Sequence, residues 1–217
     1  FFTHIIKKRP FIHLKWAQTL DGKTSTMSGD SKWISNPQAR TYVHHERNLY
    51  DAILVGANTV IKDNPRLTVR IKDSETAMKR IILAPNQASK IPIDSHVLSD
   101  KYQTDTIIVT KDSGVNYTDQ SGFNLEELLN HLYKLGIKSI YIEGGSKVIS
   151  SFLAAELFDR LSIYIAPKIL GKGKSPCYMD DAPQEMLQAL QINSPHWKQF
   201  DNNMLLESQR NICLQDL

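Results

Sequence analysis

The first pattern along the chain is an alternation over residues 11–19, in which Ile12, Leu14 and Trp16 fall on one side of an extended segment. This pattern predicts a β-strand. Its other face carries Phe11, His13, Lys15, Ala17 and Thr19. Because an unpaired ammonium group is costly to bury in an apolar strand, Lys15 is expected to be paired or to face a cavity.

Short, almost wholly apolar runs recur further along the chain, and such runs are typical of strands buried on both faces of a sheet. The predicted strands are residues 51–56, 80–84, 106–110, 139–142 and 161–166. The tail over 187–214 is expected to add more strands, one of them at 203–207.

Helical periodicity and capping signals separate these strands. Asn36 and Pro37 form a helix start, since an N-cap side chain precedes a residue that has no N–H to satisfy, and the helix is predicted to reach about Tyr50. Apolar residues at helical spacing predict the clearest helix over 124–135, capped by Asn124. The other predicted helical segments are a turn at 57–62, broken by 63–65, and a helix that runs from the glycine turn at 143–146 to about residue 156.

Strands that alternate with helices predict an α/β domain with a mostly parallel central sheet flanked by helices. A chain of 217 residues, 41% of them hydrophobic, favours a single domain. The net charge of +3 is scattered rather than clustered, which argues against nucleic-acid binding. No apolar stretch approaches the roughly 20 residues of a membrane helix, so no membrane segment is expected.

The cysteine content indicates a reducing compartment. Cys177 and Cys213 are too few for a disulfide scaffold and lack the paired spacing of a structural zinc site, so we expect a cytoplasmic protein without bound metal. The N-terminus has neither Met nor a signal-peptide pattern, and a longer parent protein is expected. Residues 44–46 match the H-x-E half of a zinc deaminase signature. Because Cys177 has no second cysteine three positions on, a polar helix face is the favoured interpretation.

One candidate anion site lies at residues 143–147. Backbone N–H groups at a helix N-terminus, uncrowded at Gly144 and Gly145, are suited to a phosphate. Glu143 would end a strand at the edge where open α/β sheets place their ligands, which makes it a candidate acceptor of substrate hydrogen bonds. The alternative is that the glycines serve only the geometry of the turn.

A second candidate anion site consists of Ser31, Arg47 and Arg70, because guanidinium groups suit bidentate contact with phosphate. The alternative is that these arginines are solvated. Arg40, His44 and Arg47 lie at helical spacing along the predicted helix, as expected of a solvated stripe.

Taken in order, these segments resemble the reductase domain of the bifunctional riboflavin-biosynthesis deaminase/reductase, a family with the dihydrofolate-reductase-like fold. The similarity is carried by LKWAQTLDGK (14–23), GDSKWIS (29–35), DAILVGANTVIKDNPRLTVR (51–70), YIEGGS (141–146) and ELFDRLSIYIAPKILG (156–171). Residues 71–135 and the tail after Pro176 carry little of it. The resemblance implies a three-layer reductase domain over 11–217, preceded by a joining segment at 1–10.

The resemblance also implies NADPH-dependent reduction of 5-amino-6-(5-phosphoribosylamino)uracil to 5-amino-6-(5-phosphoribitylamino)uracil, with a hydride transferred to ribose C1′. By position, the cofactor-binding residues would be Ala17, Trp33, Thr59, Asp63, Gly145, Ser146, Lys147, Val148, Ile149, Ser150 and Ser151. The substrate-binding residues would be Ser31, Arg47, Leu67, Arg70 and Glu143. Lys15 and Glu143 are the candidate catalytic residues, which would orient and polarise the substrate.

The chain departs from the family pattern at Lys147, where the family often has no lysine. We hypothesise that Lys147 strengthens anion binding; the alternative is an exposed lysine with no such role. The resemblance further implies a zinc deaminase domain in the same full-length chain and a homo-oligomer. Two other functions stay open: a stand-alone reductase of the 2,5-diaminopyrimidinone substrate, and a catalytically silent nucleotide-binding module.

Overall fold

The computed structural model describes residues 2–72, 74–76, 78–118, 122–179 and 183–210. Its helices are α1 (Phe2–Ile6), α2 (Pro37–Arg47), α3 (Ala57–Asp63), α4 (His96–Ser99), α5 (Leu125–Lys134) and α6 (Ser146–Ala154). Its strands are β1 (Phe11–Thr19), β2 (Ala52–Gly56), β3 (Val69–Ile71), β4 (Ser74–Thr76), β5 (Lys79–Leu83), β6 (Thr106–Val109), β7 (Tyr117–Thr118), β8 (Gly122–Phe123), β9 (Ser139–Gly144), β10 (Arg160–Ala166), β11 (His196–Phe200) and β12 (Asn203–Gln209). Cys213 and the end of the expected tail lie outside the described residues.

Eight of these strands form one sheet in the order β11-β12-β10-β1-β9-β2-β5-β6. The six strands from β10 to β6 run parallel, β12 pairs antiparallel with β10 at one side, and β11 pairs antiparallel with β12. This confirms the prediction of an α/β fold with a mostly parallel sheet. The carboxyl ends of the parallel strands therefore meet at one edge of the sheet, which is where ligands bind in such folds.

The two faces of β1 pack against different layers, as its alternating pattern predicts. Ile12 and Leu14 join the core that includes Leu128 of α5 and Phe152 of α6. On the other face, Ala17 packs with the cluster that α2 helps to form. Helices therefore cover both sides of the sheet, and Lys15 lies on the face covered by α2.

The helix α2 begins as predicted and ends earlier than predicted. The Asn36 side chain accepts a hydrogen bond from the Ala39 N–H at 2.9 Å, which is the expected N-cap. The helix stops at Arg47 rather than near Tyr50, because the chain then turns and places the Tyr50 hydroxyl 2.6 Å from Nδ1 of His13. The chain thus leaves the helix before Tyr50, and Tyr50 instead makes a hydrogen bond with the central strand β1.

A single buried arginine organises the connection between β5 and β6. Arg80, 1% exposed, donates to both carboxylate oxygens of Asp100 at 2.8 and 2.9 Å and to the Thr106 hydroxyl at 3.0 Å. Its guanidinium also donates to the backbone carbonyls of Arg66, Val97 and Tyr102. These bonds hold the segment at 85–105, predicted only as a polar connection, against the sheet.

The expected joining segment at 1–10 is fixed to the domain at its end. Arg9 donates to both oxygens of Asp159 at 2.7 and 2.9 Å, and Asp159 in turn accepts from the Ile12 N–H at 2.8 Å. That this segment joins another domain stays a prediction. Across the described part of the chain, no helix combines the length and apolar character needed to cross a membrane.

Candidate active site

A cleft of about 1930 Å³ opens at the carboxyl edge of the parallel strands. Parts of β1, α3, the turn between β9 and α6, and the loop after β1 line it. Among the residues predicted from the sequence, those that line it are Lys15, Ala17, Ser31, Thr59, Asp63, Glu143, Gly145, Ser146, Lys147, Val148, Ile149, Ser150 and Ser151. The fold therefore brings most of the predicted cofactor side and the two candidate catalytic residues to one cavity.

Glu143 is held at this cleft by Arg47. Arg47 Nη2 donates to Glu143 Oε2 at 2.7 Å, and Arg47 Nε donates to Glu143 Oε1. A third bond runs from Arg47 Nη1 to the Thr68 carbonyl oxygen at 3.0 Å. The two side chains are only 12% and 11% exposed, so this bidentate pair is largely shielded from water.

The charges around Glu143 and Lys15 hold both groups in defined states. Burial raises the pKa of Glu143, but Arg47 and Lys15 outweigh it and lower that pKa to about 2. Burial lowers the pKa of Lys15, Arg47 lowers it further, and Glu143 and Glu46 oppose the change. The Lys15 Nζ also lies 5.4 Å from the centroid of the Tyr164 ring, within cation–π range.

His44 and Arg70 extend the site on the side of α2. The Arg70 N–H donates to Nδ1 of His44 at 3.2 Å, and Arg70 Nη1 donates to the Thr68 hydroxyl at 3.0 Å. Burial, followed by the charges of Arg47 and Arg70, lowers the pKa of His44 to about 4. His44 is therefore neutral at physiological pH and accepts a hydrogen bond through Nδ1.

The interpretation of Arg40, His44 and Arg47 as a solvated stripe is wrong. His44 and Arg47 face Glu143 and Arg70, because α2 packs across the sheet with this side toward the carboxyl edge. Arg40 instead lies over the Trp33 ring, 4.3 Å from its centroid.

Four of the predicted residues are not among those that line the cleft: Trp33, Arg47, Leu67 and Arg70. Trp33 is 65% exposed, and its carbonyl oxygen accepts from Lys168 Nζ at 2.5 Å. Leu67 is buried in the core beside α3, and the neighbouring residue Thr68 supplies the carbonyl that Arg47 contacts. Their predicted roles in binding cofactor and substrate stay predictions.

The turn between β9 and α6 has the open geometry expected of an anion site. Gly145 has a φ of 71°, and as the N-cap residue it has no side chain to cap the first N–H groups of α6. A Cβ at Gly145 would lie 3.7 Å from the Thr59 hydroxyl, so Thr59 borders the turn. Later in the segment, Ile149 is buried in the core and the Ser150 hydroxyl donates to the Ser146 carbonyl at 2.6 Å. Ile149 and Ser150 therefore also stabilise the turn through contacts inside the domain.

Sequence reasoning missed a buried polar cluster beneath Lys15. Glu46, interpreted as part of a polar helix face, is 3% exposed and accepts hydrogen bonds from Tyr141 and Tyr164. That interpretation is wrong because α2 turns Glu46 toward the sheet. The sequence signal that indicates the burial of Glu46 is its helical spacing, which places it on the same side as the buried Ala39 and Val43. In the described ranges, no three His, Cys, Asp or Glu side chains are grouped to hold a metal ion.

The sheet and the helices on its two faces form a dihydrofolate-reductase-like fold. Dihydrofolate reductase from Enterococcus faecalis, complexed with NADP(H), matches with a TM-score of 0.55 at 12% identity, over 93% of this chain and 97% of that one. The chain belongs to the RibD C-terminal domain family, whose model matches residues 10–206. This is the reductase family of riboflavin biosynthesis.

Individual relatives agree with this assignment. The riboflavin biosynthesis protein RibD of Aquifex aeolicus is 44% identical over 185 residues, which are 81% of this chain and 51% of that protein. A diaminohydroxyphosphoribosylaminopyrimidine deaminase/5-amino-6-(5-phosphoribosylamino)uracil reductase from Thermotoga maritima is 34% identical with a TM-score of 0.80, over 97% of this chain and 59% of that structure. The 2,5-diamino-6-ribosylamino-4(3H)-pyrimidinone 5′-phosphate reductase of Methanothermobacter thermautotrophicus is 30% identical, over 92% of this chain and 97% of that protein. The chain thus spans about half the length of the Aquifex relative.

Proposed function

We propose that this chain catalyses the NADPH-dependent reduction of 5-amino-6-(5-phosphoribosylamino)uracil to 5-amino-6-(5-phosphoribitylamino)uracil. The observation that carries the proposal is that one cleft is lined by Lys15 and Glu143, which Arg47 holds in place, and also by the glycine turn before α6. The first group suits a polar, phosphorylated substrate, and the second suits a nucleotide phosphate.

The residues at the turn fit a dinucleotide. The α6 N-terminus leaves backbone N–H groups without a side-chain cap, and its positive dipole end favours an anion. Gly144 and Gly145 leave open the space that a side chain would occupy, and Lys147 is exposed beside them. We propose that Ala17, Thr59, Asp63 and residues 145–151 hold NADPH here. When bound, NADPH would supply a hydride to ribose C1′.

The substrate would bind through its phosphate and its pyrimidine near Lys15 and Glu143. Within the described residues, the bonds of Arg47 to Glu143 and Thr68 use three of its five N–H groups, which leaves two for an anion. We propose that Arg47, Arg70 and Ser31 hold the phosphate. Binding energy gained at the phosphate would fix the reacting carbon, so a dephosphorylated substrate should lose turnover as well as affinity.

The proton balance assigns a role to Lys15. Opening of the ribosylamine ring moves the amine proton to the ring oxygen and gives an imine, and reduction then adds a hydride at C1′ and a proton at the nitrogen. The lowered pKa of Lys15, caused first by burial, makes its ammonium group a better proton donor. Glu143, held as a carboxylate by Arg47, can only accept hydrogen bonds and would orient the substrate.

The test is NADPH consumption by the purified chain with the phosphoribosylaminouracil substrate. We expect turnover by the native chain, at least a hundredfold slower single-turnover hydride transfer in Lys15→Met, and normal rates in Lys90→Met, which alters an exposed lysine. Full hydride transfer by Lys15→Met would reduce Lys15 to a packing role. Tight NADPH binding without consumption would instead support the silent nucleotide-binding module.

A second candidate is reduction of the 2,5-diaminopyrimidinone substrate before deamination. The Methanothermobacter relative favours it, because this chain covers nearly all of that protein. Assays with both pyrimidines decide between the two, since the true substrate should have the higher kcat/KM.

We also propose that a zinc deaminase domain accompanies this domain in the full-length protein. The Thermotoga relative, which is named for both activities and of which this chain covers 59%, supports the proposal. A deaminase activity that co-purifies with the reductase on one polypeptide would test it, and separate polypeptides would refute it.

A further inference from the structure

A carboxylate lies buried beneath the candidate active site. Glu46 extends from α2 toward the sheet, where its Oε2 accepts from the Tyr141 hydroxyl at 2.9 Å and from the Tyr164 hydroxyl at 2.5 Å. Its Oε1 accepts from the Ser162 hydroxyl at 3.0 Å. Three hydroxyl groups from two strands therefore converge on one side chain that is 3% exposed, and Arg160 Nη2 lies 3.9 Å from its Oε1.

The hydrogen bonds around Glu46 all run in one direction. Because the Ser162 hydroxyl donates to Glu46, its oxygen accepts from Nε2 of His13, 2.8 Å away. Nδ1 of a neutral His13 must then accept from the Tyr50 hydroxyl at 2.6 Å. Burial keeps His13 neutral by lowering its pKa, so this arrangement is satisfied. Burial raises the pKa of Glu46, and the hydrogen bonds from Tyr164, Tyr141 and Ser162, followed by the charge of Arg160, oppose that rise. A chain of donors that ends on both oxygens of Glu46 is the pattern of an ionised carboxylate.

Glu46 connects the elements that carry the site. Tyr141 belongs to β9 and Tyr164 to β10, the two strands that flank β1 and Lys15. The ring of Tyr164 is the surface over which the Lys15 ammonium lies. Glu46 also directly precedes Arg47, so bonds that fix Glu46 against the sheet fix the start of the Arg47 side chain.

We propose that Glu46 is a positioning residue of this active site, which holds Tyr164 beneath Lys15 and directs Arg47 toward Glu143. Its carboxylate also acts at a distance, since it opposes the burial that lowers the pKa of Lys15. The charged and titratable groups that face Lys15 are Glu46, Arg47 and His44 of α2, Glu143 of β9, Tyr164 of β10 and His13 of its own strand. Loss of the Glu46 charge would therefore favour the neutral amine.

A measurement on the chain alone tests this without any assay of reduction. The pH dependence of Lys15 acylation by an amine reagent, followed by mass spectrometry of the peptide that contains it, gives the pH at which the amine is half protonated. In Glu46→Gln we expect that midpoint to fall by about one pH unit. Glu185→Gln is the control, because Glu185 is an exposed carboxylate outside the elements that carry the site. It should leave the Lys15 midpoint unchanged.

The kinetic part rests on the proposed function. Glu46→Gln should lower kcat about tenfold at neutral pH, leave the KM for NADPH unchanged, and move the alkaline limb of the pH profile with the Lys15 midpoint. Tyr164→Phe removes the hydroxyl that donates to Glu46 but keeps the ring and the buried charge. It should therefore lower kcat and leave the alkaline limb of the pH profile unchanged. If Glu46→Gln does not fold, Glu46→Asp replaces it. Because aspartate keeps the charge but is shorter, the Lys15 midpoint should be preserved and kcat should fall as the contacts with the hydroxyl groups are displaced.

The outcomes separate the two proposals. A folded Glu46→Gln chain with an unchanged Lys15 midpoint and unchanged kcat would overturn the role of Glu46. A shifted midpoint in a chain that reduces neither pyrimidine would support the role of Glu46 and refute the proposed reductase activity.

Discussion

Arg47 and Glu143, 96 positions apart in the chain, meet through two parallel hydrogen bonds, one of which joins Nη2 to Oε2 at 2.7 Å. The first ends α2 and the second lies near the end of β9, so the pair exists only when the helix has packed on the sheet. The carboxylate that faces the cleft is therefore set in place by the tertiary fold.

Glu143→Gln should destabilise the protein even without substrate. The substitution leaves the Arg47 guanidinium nearly buried without its anionic partner, and loss of one member of a buried pair costs about 3 kcal/mol. Urea denaturation measures this loss. Asp105→Asn, which breaks the exposed pair of Lys79 and Asp105, should cost less than about 1 kcal/mol. Equal losses in the two variants would contradict the assignment.

Acid should weaken the fold through His44. Its pKa is about 4 in the folded chain, against 6.5 for an unperturbed histidine, mainly because of burial and then Arg47 and Arg70. Between pH 6.5 and 4 the unfolded chain binds a proton that the folded chain does not, so the free energy of unfolding falls as the pH falls through this window.

In His44→Asn the fall in the free energy of unfolding between pH 7 and pH 4 should be smaller by about 1 kcal/mol. This value is discounted because solvent screens the half-buried ring. Denaturation curves at pH 7 and pH 4 measure the difference. His45→Asn changes an exposed neighbour on the same helix and should keep the native dependence on pH. The same dependence in both variants would show that His44 is not the group responsible.

Gly145→Ala should be costly although there is room for the added methyl group. The nearest atom to a Cβ there is the Thr59 hydroxyl at 3.7 Å, but a φ of 71° strains any residue with a side chain, by about 2 kcal/mol. We expect a lower thermal midpoint and weaker NADPH binding by calorimetry. Gly144→Ala, with similar space and no positive φ, should change both much less. Weaker binding in both variants alike would indicate a steric cause.

Lys147→Ala tests the hypothesis that this lysine strengthens anion binding. We expect the KM for NADPH to rise about threefold to tenfold at low salt, and the difference to shrink at high salt as the charges are screened. The value of kcat should not change. Lys134→Ala, at an exposed position on α5, is the control. An unchanged KM in Lys147→Ala would leave the lysine as a surface residue.

Local patterns were sufficient wherever the physical cause was local. The alternation around Lys15 predicted both faces of β1, and Asn124 with the leucines that follow predicted α5, because pleating and helical periodicity act over neighbouring residues. The position of Lys15 on a cleft also followed from the cost of burying a lone ammonium group.

Residues whose surroundings come from distant segments were harder to predict. Glu46 looked solvated because its partners, Tyr141, Ser162 and Tyr164, lie on strands about a hundred positions away. Trp33 was expected at the cleft, and the structure places it at the surface beneath Arg40. No single-residue pattern carries information about which distant groups a side chain will meet.

The contacts of Arg80 bear on which substitutions the segment between β5 and β6 can accept. Much of what its guanidinium recognises between β5 and β6 is backbone carbonyl, which every residue type provides. The path of this connection therefore depends on Arg80 and Asp100 more than on its other side chains. A stretch whose sequence predicts little can thus be as firmly placed as a motif, because one arginine outside it holds its backbone.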